Sequence, residues 1–291
     1  MKKKNLVIVL LTVLLAVTSC SFTTKKFDPN SDKDKVLIEL ITYVLEQGHF
    51  DLRQMDDEFS QEVFEEFIEN LDPLKRHFLQ SDYDEFAEYK NQIDDQIKNK
   101  DLTFFEMVYK RHLLRVEESQ SYYQEILQEP FDFNTSEKID TDYENLEYAK
   151  TSKELKERWR KLLKFNTLGI LYDSYETQVE EMKDVSEDKE EVEVKSLAEL
   201  EEEARETTKE SMETYFETSS DLERKDWFSM YINTIVSQFD PHTNYFAPRD
   251  KERFDVSMSG KLEGIGARLQ KERDHVKIME VISGGPAWRG D

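Results

Sequence analysis

Apolar and polar residues follow a helical period over most of the chain. The clearest case is residues 221–238, where Phe228, Tyr231, Ile232, Ile235 and Val236 fall at i, i+3, i+4, i+7 and i+8. The same spacing recurs upstream, and capping residues or glycine and proline mark several segment ends. The pattern predicts helices over residues 31–48, 56–71, 83–98, 102–127 and 221–238, and one that starts at 151–152 and runs through Tyr172.

Three stretches depart from this period. Residues 131–150 lack a clear spacing, which predicts an irregular or partly extended segment. Gly169 leaves the middle of the next helix uncertain, because glycine weakens a helix interior. Residues 184–203 contain ten acidic and two basic residues, which predicts a solvated acidic loop that leads into an exposed helix start.

The pattern changes after residue 238. Pro241 and Pro248 fix their own φ and keep the residues before them out of the helical region, so residues 239–255 are predicted to form an extended arm. Residues 256–291 carry two short predicted strands, 262–270 and 276–282, and a turn at 283–287 that opens a helix. The predicted fold class is mainly α, a helical N-terminal domain (31–238) followed by a truncated α/β domain (256–291).

The chain is strongly acidic, with a formal net charge of −24 over 291 residues. Such a charge repels nucleic acids and anionic lipid surfaces, which argues against polyanion binding. Its aromatic share of 12% is high for a disordered acidic chain and can supply a sizeable core. The composition therefore predicts a folded, very acidic protein with no nucleic-acid partner.

Residues 1–19 have the layout of an export signal. Three lysines at 2–4 precede an apolar run, 6–17, that is too short to span a bilayer comfortably. Cys20 is the one cysteine in the sequence, and residues 17–20 resemble a bacterial lipobox. We expect signal cleavage to leave Cys20 lipidated and residues 20–30 to tether the protein to a membrane. The lipoprotein would face the periplasm. An ordinary secretory signal that happens to end at Cys20 is the alternative.

No catalytic or metal-binding motif stands in the sequence. The five histidines have no His or Cys partner at a metal-ligand spacing, and no HExxH, GxSxG or phosphate-loop pattern occurs. His112 is expected to be packed and hydrogen-bonded, and His242 to cap a turn. We therefore expect no metal, no cofactor and no catalytic residue in this chain.

Two motifs stand out in the sequence. They are Leu71-Asp72-Pro73 with Lys75 and residues 78–82 (FLQSD), and residues 239–245 (FDPHTNY) with Pro248, Phe254 and residues 262–267 (LEGIGA). Both resemble motifs of the tail-specific proteases, the C-terminal processing peptidases of bacterial envelopes. They stand in that family's order and are separated by a plausible distance. His77 departs from the first motif, where an aromatic such as tyrosine is expected, and we expect this to affect packing only.

The resemblance implies a serine endopeptidase that recognises apolar C-terminal tails through a PDZ domain, of which residues 256–291 are part. In such a domain the N–H groups around Gly264-Ile265-Gly266-Ala267 bind the terminal carboxylate, and glycine leaves room for its approach. Arg268 and Leu269 pair with the peptide as an added strand. The Ser/Lys catalytic pair belongs to a domain beyond residue 291, so the chain is expected to be an N-terminal fragment without activity of its own.

The partners implied are C-terminal tails of envelope proteins, a periplasmic adaptor lipoprotein, and the membrane, through lipid at Cys20. The residues also allow a non-enzymatic lipoprotein, an adaptor or holdase whose helical body displays a PDZ-like peptide-binding module. A third interpretation makes residues 262–267 a plain strand entry in a helical scaffold protein.

Overall fold

The computed structural model describes residues 31–50, 53–183, 194–259, 264–272 and 275–290. The predicted signal, the tether with Cys20 and residues 184–193 of the acidic loop lie outside the described residues. The chain divides after His242 into two compact units. The described residues are mainly helical and contain one two-stranded sheet, which confirms the predicted fold class of a mainly α chain with a small α/β part.

Eight helices build the described part of the first unit. They are α1 (Ser31–Gly48), α2 (Asp57–Leu71), α3 (Gln80–Ala87), α4 (Ile93–Asn99), α5 (Thr103–Ile126), α6 (Ser152–Lys183), α7 (Leu197–Asp221) and α8 (Arg224–Ser237). The two longest, α6 and α7, pack along each other. Within the described ranges, no helix is long and apolar enough to cross a membrane.

Local sequence signals set several helix ends. The carboxylate of Asp56 caps α2 by accepting the N–H groups of Glu58 at 3.1 Å and Phe59 at 3.2 Å. Ser196 caps α7, and the side chain of Glu199 accepts the N–H of Ser196 in return. The predicted helices 56–71 and 102–127 agree with α2 and α5 to within one residue at each end. Residues 131–150 contain no helix, as predicted.

One helix prediction is wrong in detail. Residues 83–98 do not form one helix, because α3 ends at Ala87 and a turn over residues 88–92 precedes α4. After this turn the carboxylate of Asp94 accepts a hydrogen bond from the Ser60 hydroxyl of α2 at 2.7 Å. Gly169 does not interrupt α6, since tertiary packing outweighs the propensity cost of one glycine.

Aromatic rings fill the core of the first unit. Phe67 of α2, Phe105 of α5 and Tyr231 of α8 are buried, and the ring centroid of Tyr231 lies 5.0 Å from that of Phe67 and 5.4 Å from that of Phe105. Such contacts add to the hydrophobic gain of burial. A second cluster joins α5, α6 and α7 around Trp159. The helical spacing of the sequence predicts the inner face of α8 that carries Tyr231, and the other three rings are buried as well.

A smaller cluster closes the other end of the α6–α7 pair. Leu200 and Ala204 of α7 are buried together with Leu171 of α6. The helix start is exposed over its first turn, up to Glu199, as predicted, and from Leu200 onward buried positions alternate with exposed ones such as Glu202. Because this stretch contains so many acidic residues, the sequence pattern did not indicate that Leu200 and Ala204 are buried.

The second unit contains α9 (Pro248–Ser259), β1 (Ala267–Glu272), β2 (His275–Val281) and the short helix α10 (Pro286–Arg289). The strands pair antiparallel, from Ala267 opposite Val281 to Glu272 opposite His275, with an irregularity between Arg268 and Leu269. Both predicted strands are present, and the turn after β2 leads into α10 as expected.

The predicted extended arm over residues 239–255 is wrong from Pro248 onward, because α9 begins there. Proline suits the first position of a helix: its missing N–H has no partner there in any case, and its fixed φ is already helical. Residues 243–247 have no regular secondary structure, which fits the restriction that a proline places on the residue before it. Pro248 starts a helix where we expected it to exclude one.

Candidate functional site

The loop predicted to bind a carboxylate is a bend over Gly264–Gly266 that leads into Ala267, the first residue of β1. Gly266 has a φ of +76°, in the left-handed region that favours glycine. A Cβ at this position would lie 2.8 Å from Cδ of Pro286 and 3.0 Å from Cα of Gly285. Any side chain at position 266 would strain the backbone and push the bend away from the turn behind it.

Backbone hydrogen bonds fasten this bend to the turn after β2. The N–H of Ile282 donates to the carbonyl oxygen of Gly266 at 2.8 Å, and the N–H of Ala287 donates to that of Ile265 at 2.8 Å. Neither Ile265 nor Gly266 donates its own N–H to another described residue. The carbonyl groups of Ile265 and Gly266 are therefore used internally, whereas their N–H groups are not used by any of the residues that the structure describes.

Gly285 supports the bend, a role beyond the turn that the sequence predicts at residues 283–287. A Cβ on Gly285 would lie 3.0 Å from Cα of Gly266 and 3.0 Å from the carbonyl oxygen of Ile282. Two backbone segments approach each other so closely here that glycine is required on both sides. The Gly-Gly-Pro sequence at residues 284–286 is the signal that could have identified this support.

β1 presents apolar side chains and one strand edge to the solvent. Leu269 is 48% exposed, and Ile265 at the bend is 58% exposed. Arg268 forms an exposed ion pair with Glu280 of β2, with 3.5 Å between Nη1 and Oε2. β2 occupies one edge of β1, and no other strand of the described residues occupies the opposite edge. The predicted strand-pairing residues thus lie beside an open edge.

The first sequence motif forms a buried polar hub in the first unit, centred on Asp72. Its carboxylate accepts the backbone N–H groups of Arg76, His77 and Phe78 at 2.8, 2.9 and 2.8 Å. Burial raises the pKa of Asp72, and these three donors oppose the rise. Lys75 adopts a left-handed backbone, with a φ of 47°, within the same tight loop.

Carbonyl groups of this loop hold distant parts of the chain together. The carbonyl oxygen of Lys75 accepts from Nη1 of Arg158 at 2.8 Å, and that of Arg76 accepts from the Trp159 indole at 2.6 Å. Nζ of Lys75 donates to two carbonyl oxygens of the irregular segment, at 3.0 and 2.6 Å. The Asp72 hub therefore holds α6 and residues 131–150 against the end of α2.

Asp82, the last residue of the motif, is a second buried acceptor. It accepts the N–H of Leu79 at 2.9 Å at the start of α3, and Arg115 of α5 donates to both its oxygens at 2.7 and 3.0 Å. Arg111 adds another ion pair. Burial alone would raise the pKa of Asp82, but the hydrogen bonds from Arg115, Leu79 and Arg111 lower it.

His77 does more than pack, contrary to our expectation from the sequence. Its Nδ1 lies 3.1 Å from the hydroxyl oxygen of Ser119, and its Nε2 lies 3.0 Å from that of Tyr215. Burial lowers the pKa of His77 well below its ordinary value, with the neighbouring His112 and Arg76 acting in the same direction. The ring is therefore neutral near pH 7 and joins α5 to α7 by hydrogen bonds.

His112 and His242 carry no sign of catalysis. His112 is buried as predicted, but its Nδ1 has no hydrogen-bond partner among the described residues. The N–H and the Nδ1 of His242 each lie 3.1 Å from Oδ1 of Asp240, in the turn that His242 was predicted to cap. The described residues hold no group of three His, Cys, Asp or Glu side chains placed to bind a metal ion.

Comparison with known proteins gives two findings. Residues 41–249 match the domain family described as the tail specific protease N-terminal domain. Among curated proteins, the tail-specific protease of Haemophilus influenzae is 27% identical over 260 residues, which cover 89% of this chain and 34% of that protein. The chain thus spans about a third of the length of the curated relative it matches.

Proposed function

Because this chain belongs to the tail-specific protease family, we propose that it supplies the helical scaffold and the tail-binding unit of a serine endopeptidase. The parent enzyme selects a polypeptide by an apolar C-terminal tail and cleaves it at another point of the chain. A Ser/Lys pair beyond residue 291 performs the cleavage, and backbone donors stabilise the oxyanion. The 291-residue chain alone does not hydrolyse peptides.

The bend at Gly264–Gly266 binds the carboxylate of the tail in this proposal. The observation that carries it is Gly266, which is held at positive φ against Gly285 while the N–H groups of Ile265 and Gly266 have no acceptor among the described residues. Together with the N–H of Ala267, they supply the row of donors that captures a terminal carboxylate. A bend already held in place binds with little ordering cost.

The tail adds to the sheet along the open edge of β1. Strand addition supplies affinity through main-chain hydrogen bonds and specificity through alternate side chains. The exposed side chains of Ile265 and Leu269 supply apolar contacts at the bend and along the strand, which favours an apolar tail. This unit then has the function of a PDZ domain.

The cell envelope is the proposed location of the protein. The export signal over residues 1–19 and the lipobox-like sequence at Cys20 support a lipoprotein that faces the periplasm. The helical body then serves as a scaffold near the membrane that encloses unfolded substrate and docks an adaptor lipoprotein. Its strongly negative charge disfavours nucleic acid as a partner.

Fluorescence anisotropy with a labelled peptide tests the tail-binding site. The peptide ends in three apolar residues with a free carboxylate, and its C-terminal amide is the matched probe. We expect amidation, or the substitution Gly266→Glu, to weaken binding at least about tenfold, since either change removes charge-assisted hydrogen bonds. Gly290→Ala is the control, because a Cβ there meets the Pro286 carbonyl oxygen at an ordinary 3.6 Å.

Equal affinity for the acid and the amide, or no loss with Gly266→Glu, would overturn the carboxylate site. The enzymatic part is tested separately on the full-length protein, with a folded substrate carrying the same tail. Cleavage that disappears when the proposed serine is replaced by alanine supports the protease. Tail binding without cleavage by the full-length protein supports the adaptor instead.

A further inference from the structure

An acidic cleft opens on the first unit beside the Asp72 hub. It is formed by α2, the loop after it, α3 and the irregular segment, and has a volume of about 300 Å³. Neither tail binding nor the proposed cleavage gives this cleft a role. The side chains that give the cleft its character are Glu65, Glu69, Tyr83, Glu144, Glu147 and Tyr148.

The carboxylates of the acidic cleft are only partly neutralised by the protein itself. Lys90 pairs with Glu65, and the Tyr83 hydroxyl donates to both oxygens of Glu65 at 3.2 Å. Among the described residues that line the cleft, Lys75 is the one basic residue. Its ammonium group donates to backbone carbonyl groups and lies 5.5 Å from the ring centroid of Tyr148. The carboxylates of Glu69, Glu144 and Glu147 take part in none of the ion pairs within the described residues.

Tyr148 provides a second, independent sign of a ligand. The residue as a whole is nine-tenths buried, but its hydroxyl is not among the buried polar atoms without a partner, so this oxygen reaches the solvent of the cleft. Within the described residues the hydroxyl makes no hydrogen bond. It lines the cleft and stacks on Tyr83, with ring centroids 5.2 Å apart. Burial raises the pKa of Tyr148, and the charges of Asp72, Glu65 and Glu69 raise it further.

The chemistry of the acidic cleft fits an organic cation better than a metal ion. A metal needs three or more ligand atoms around one point, and no such group occurs within the described ranges. A guanidinium group instead spreads several donors over separated acceptors and stacks on aromatic rings. The cleft offers separated carboxylates, the Tyr148 hydroxyl and the partly exposed ring of Tyr83.

We propose that the acidic cleft binds the arginine side chain of a polypeptide partner. Glu69 and Glu147 accept hydrogen bonds from the guanidinium group, and the Tyr148 hydroxyl supplies a further acceptor. Lysine binds more weakly, because its ammonium group has fewer donors and no flat face. This site is independent of the carboxylate-binding bend and stands if tail binding fails.

Isothermal titration calorimetry on the 291-residue chain tests this site with the tripeptide acetyl-Gly-Arg-Gly-amide. The same tripeptide with citrulline, a neutral isostere of arginine, is the matched probe. We expect saturable binding of the arginine probe and none of the citrulline probe. Glu69→Gln should weaken binding about fivefold, as loss of one partly exposed charge pair does, and Tyr148→Phe about threefold.

Two control variants separate the site from general attraction to an acidic surface. Glu202→Gln removes one exposed acid from α7, and Tyr175→Phe removes one exposed hydroxyl from α6. Neither should change the affinity. Equal weakening by Glu202→Gln and Glu69→Gln, binding of the citrulline probe, or the lack of saturable binding would each overturn the proposal.

Discussion

Asp72 shows how one buried side chain shapes a loop. Its carboxylate is the acceptor for three consecutive N–H groups that no helix or strand satisfies. A buried N–H without an acceptor is costly, so the loop is stable only while that carboxylate is present. The motif that suggested a family from the sequence is therefore a structural device in this unit.

We predict that Asp72→Ala lowers the free energy of unfolding by about 3 kcal/mol or more, because it leaves three buried donors without an acceptor. Urea denaturation of the chain and the variant measures the change. Asp95→Asn, at an exposed position of α4, is the control and should change stability by less than about 0.5 kcal/mol. A similar small effect for both variants would contradict the role given to Asp72.

At the scale of elements, the helical spacing of apolar residues correctly predicted the helices that bury one face. It placed α2, α5 and α8 because rings such as Phe67, Phe105 and Tyr231 repeat on the inner side. It failed between α3 and α4, since the choice between one helix and two depends on where Asp94 meets Ser60, a tertiary contact. It also misjudged Pro248, because proline both excludes and starts helices.

The two candidate sites also differ in how far the sequence predicts them. Gly266 could be identified from the sequence, because a close backbone approach and a positive φ both require glycine. The acidic cleft could not, since it draws Glu69 and Tyr148 together from segments far apart in the chain. Nothing in the local pattern around Tyr148 indicates that its hydroxyl lacks a partner.

Gly169 permits a direct test of how α6 is stabilised. A Cβ at this position meets no atom within 4 Å, so alanine fits without strain. We predict that Gly169→Ala raises the free energy of unfolding by about 0.5–1 kcal/mol, through a lower conformational entropy of the unfolded chain. Thermal unfolding followed by circular dichroism measures this. A lower melting temperature would show that α6 needs glycine for a reason other than propensity.

At the scale of the whole molecule, two buried histidines link stability to pH. Burial lowers the pKa of His112 from 6.5 to about 4 and that of His77 well below 6.5. Above pH 6.5 both are neutral, folded or unfolded, and their contribution is fully present. As the pH falls below 6.5, the unfolded chain binds protons that the folded chain does not, and stability is lost down to the folded pKa.

We predict a loss of up to about 1.4 kcal/mol per pH unit for each histidine between about pH 6 and pH 4.5. Urea denaturation at several pH values measures this slope. His112→Phe keeps a ring beside Phe78 and Trp227 and removes one of the two titrations, so its slope should be about half as steep. Parallel curves for the chain and the variant would show that other groups cause the dependence.

The Asp72 hub also has a consequence for the speed of folding. The carbonyl groups of Lys75 and Arg76 contact side chains 83 residues further along the chain. Closing so long a loop costs entropy before these contacts return any energy, whereas neighbouring helices such as α6 and α7 pair after a shorter search. We therefore expect the hub to close after the main folding barrier, so that weakening it speeds unfolding far more than it slows folding. The hub then sets how long the folded unit lasts, and has little influence on how quickly it forms.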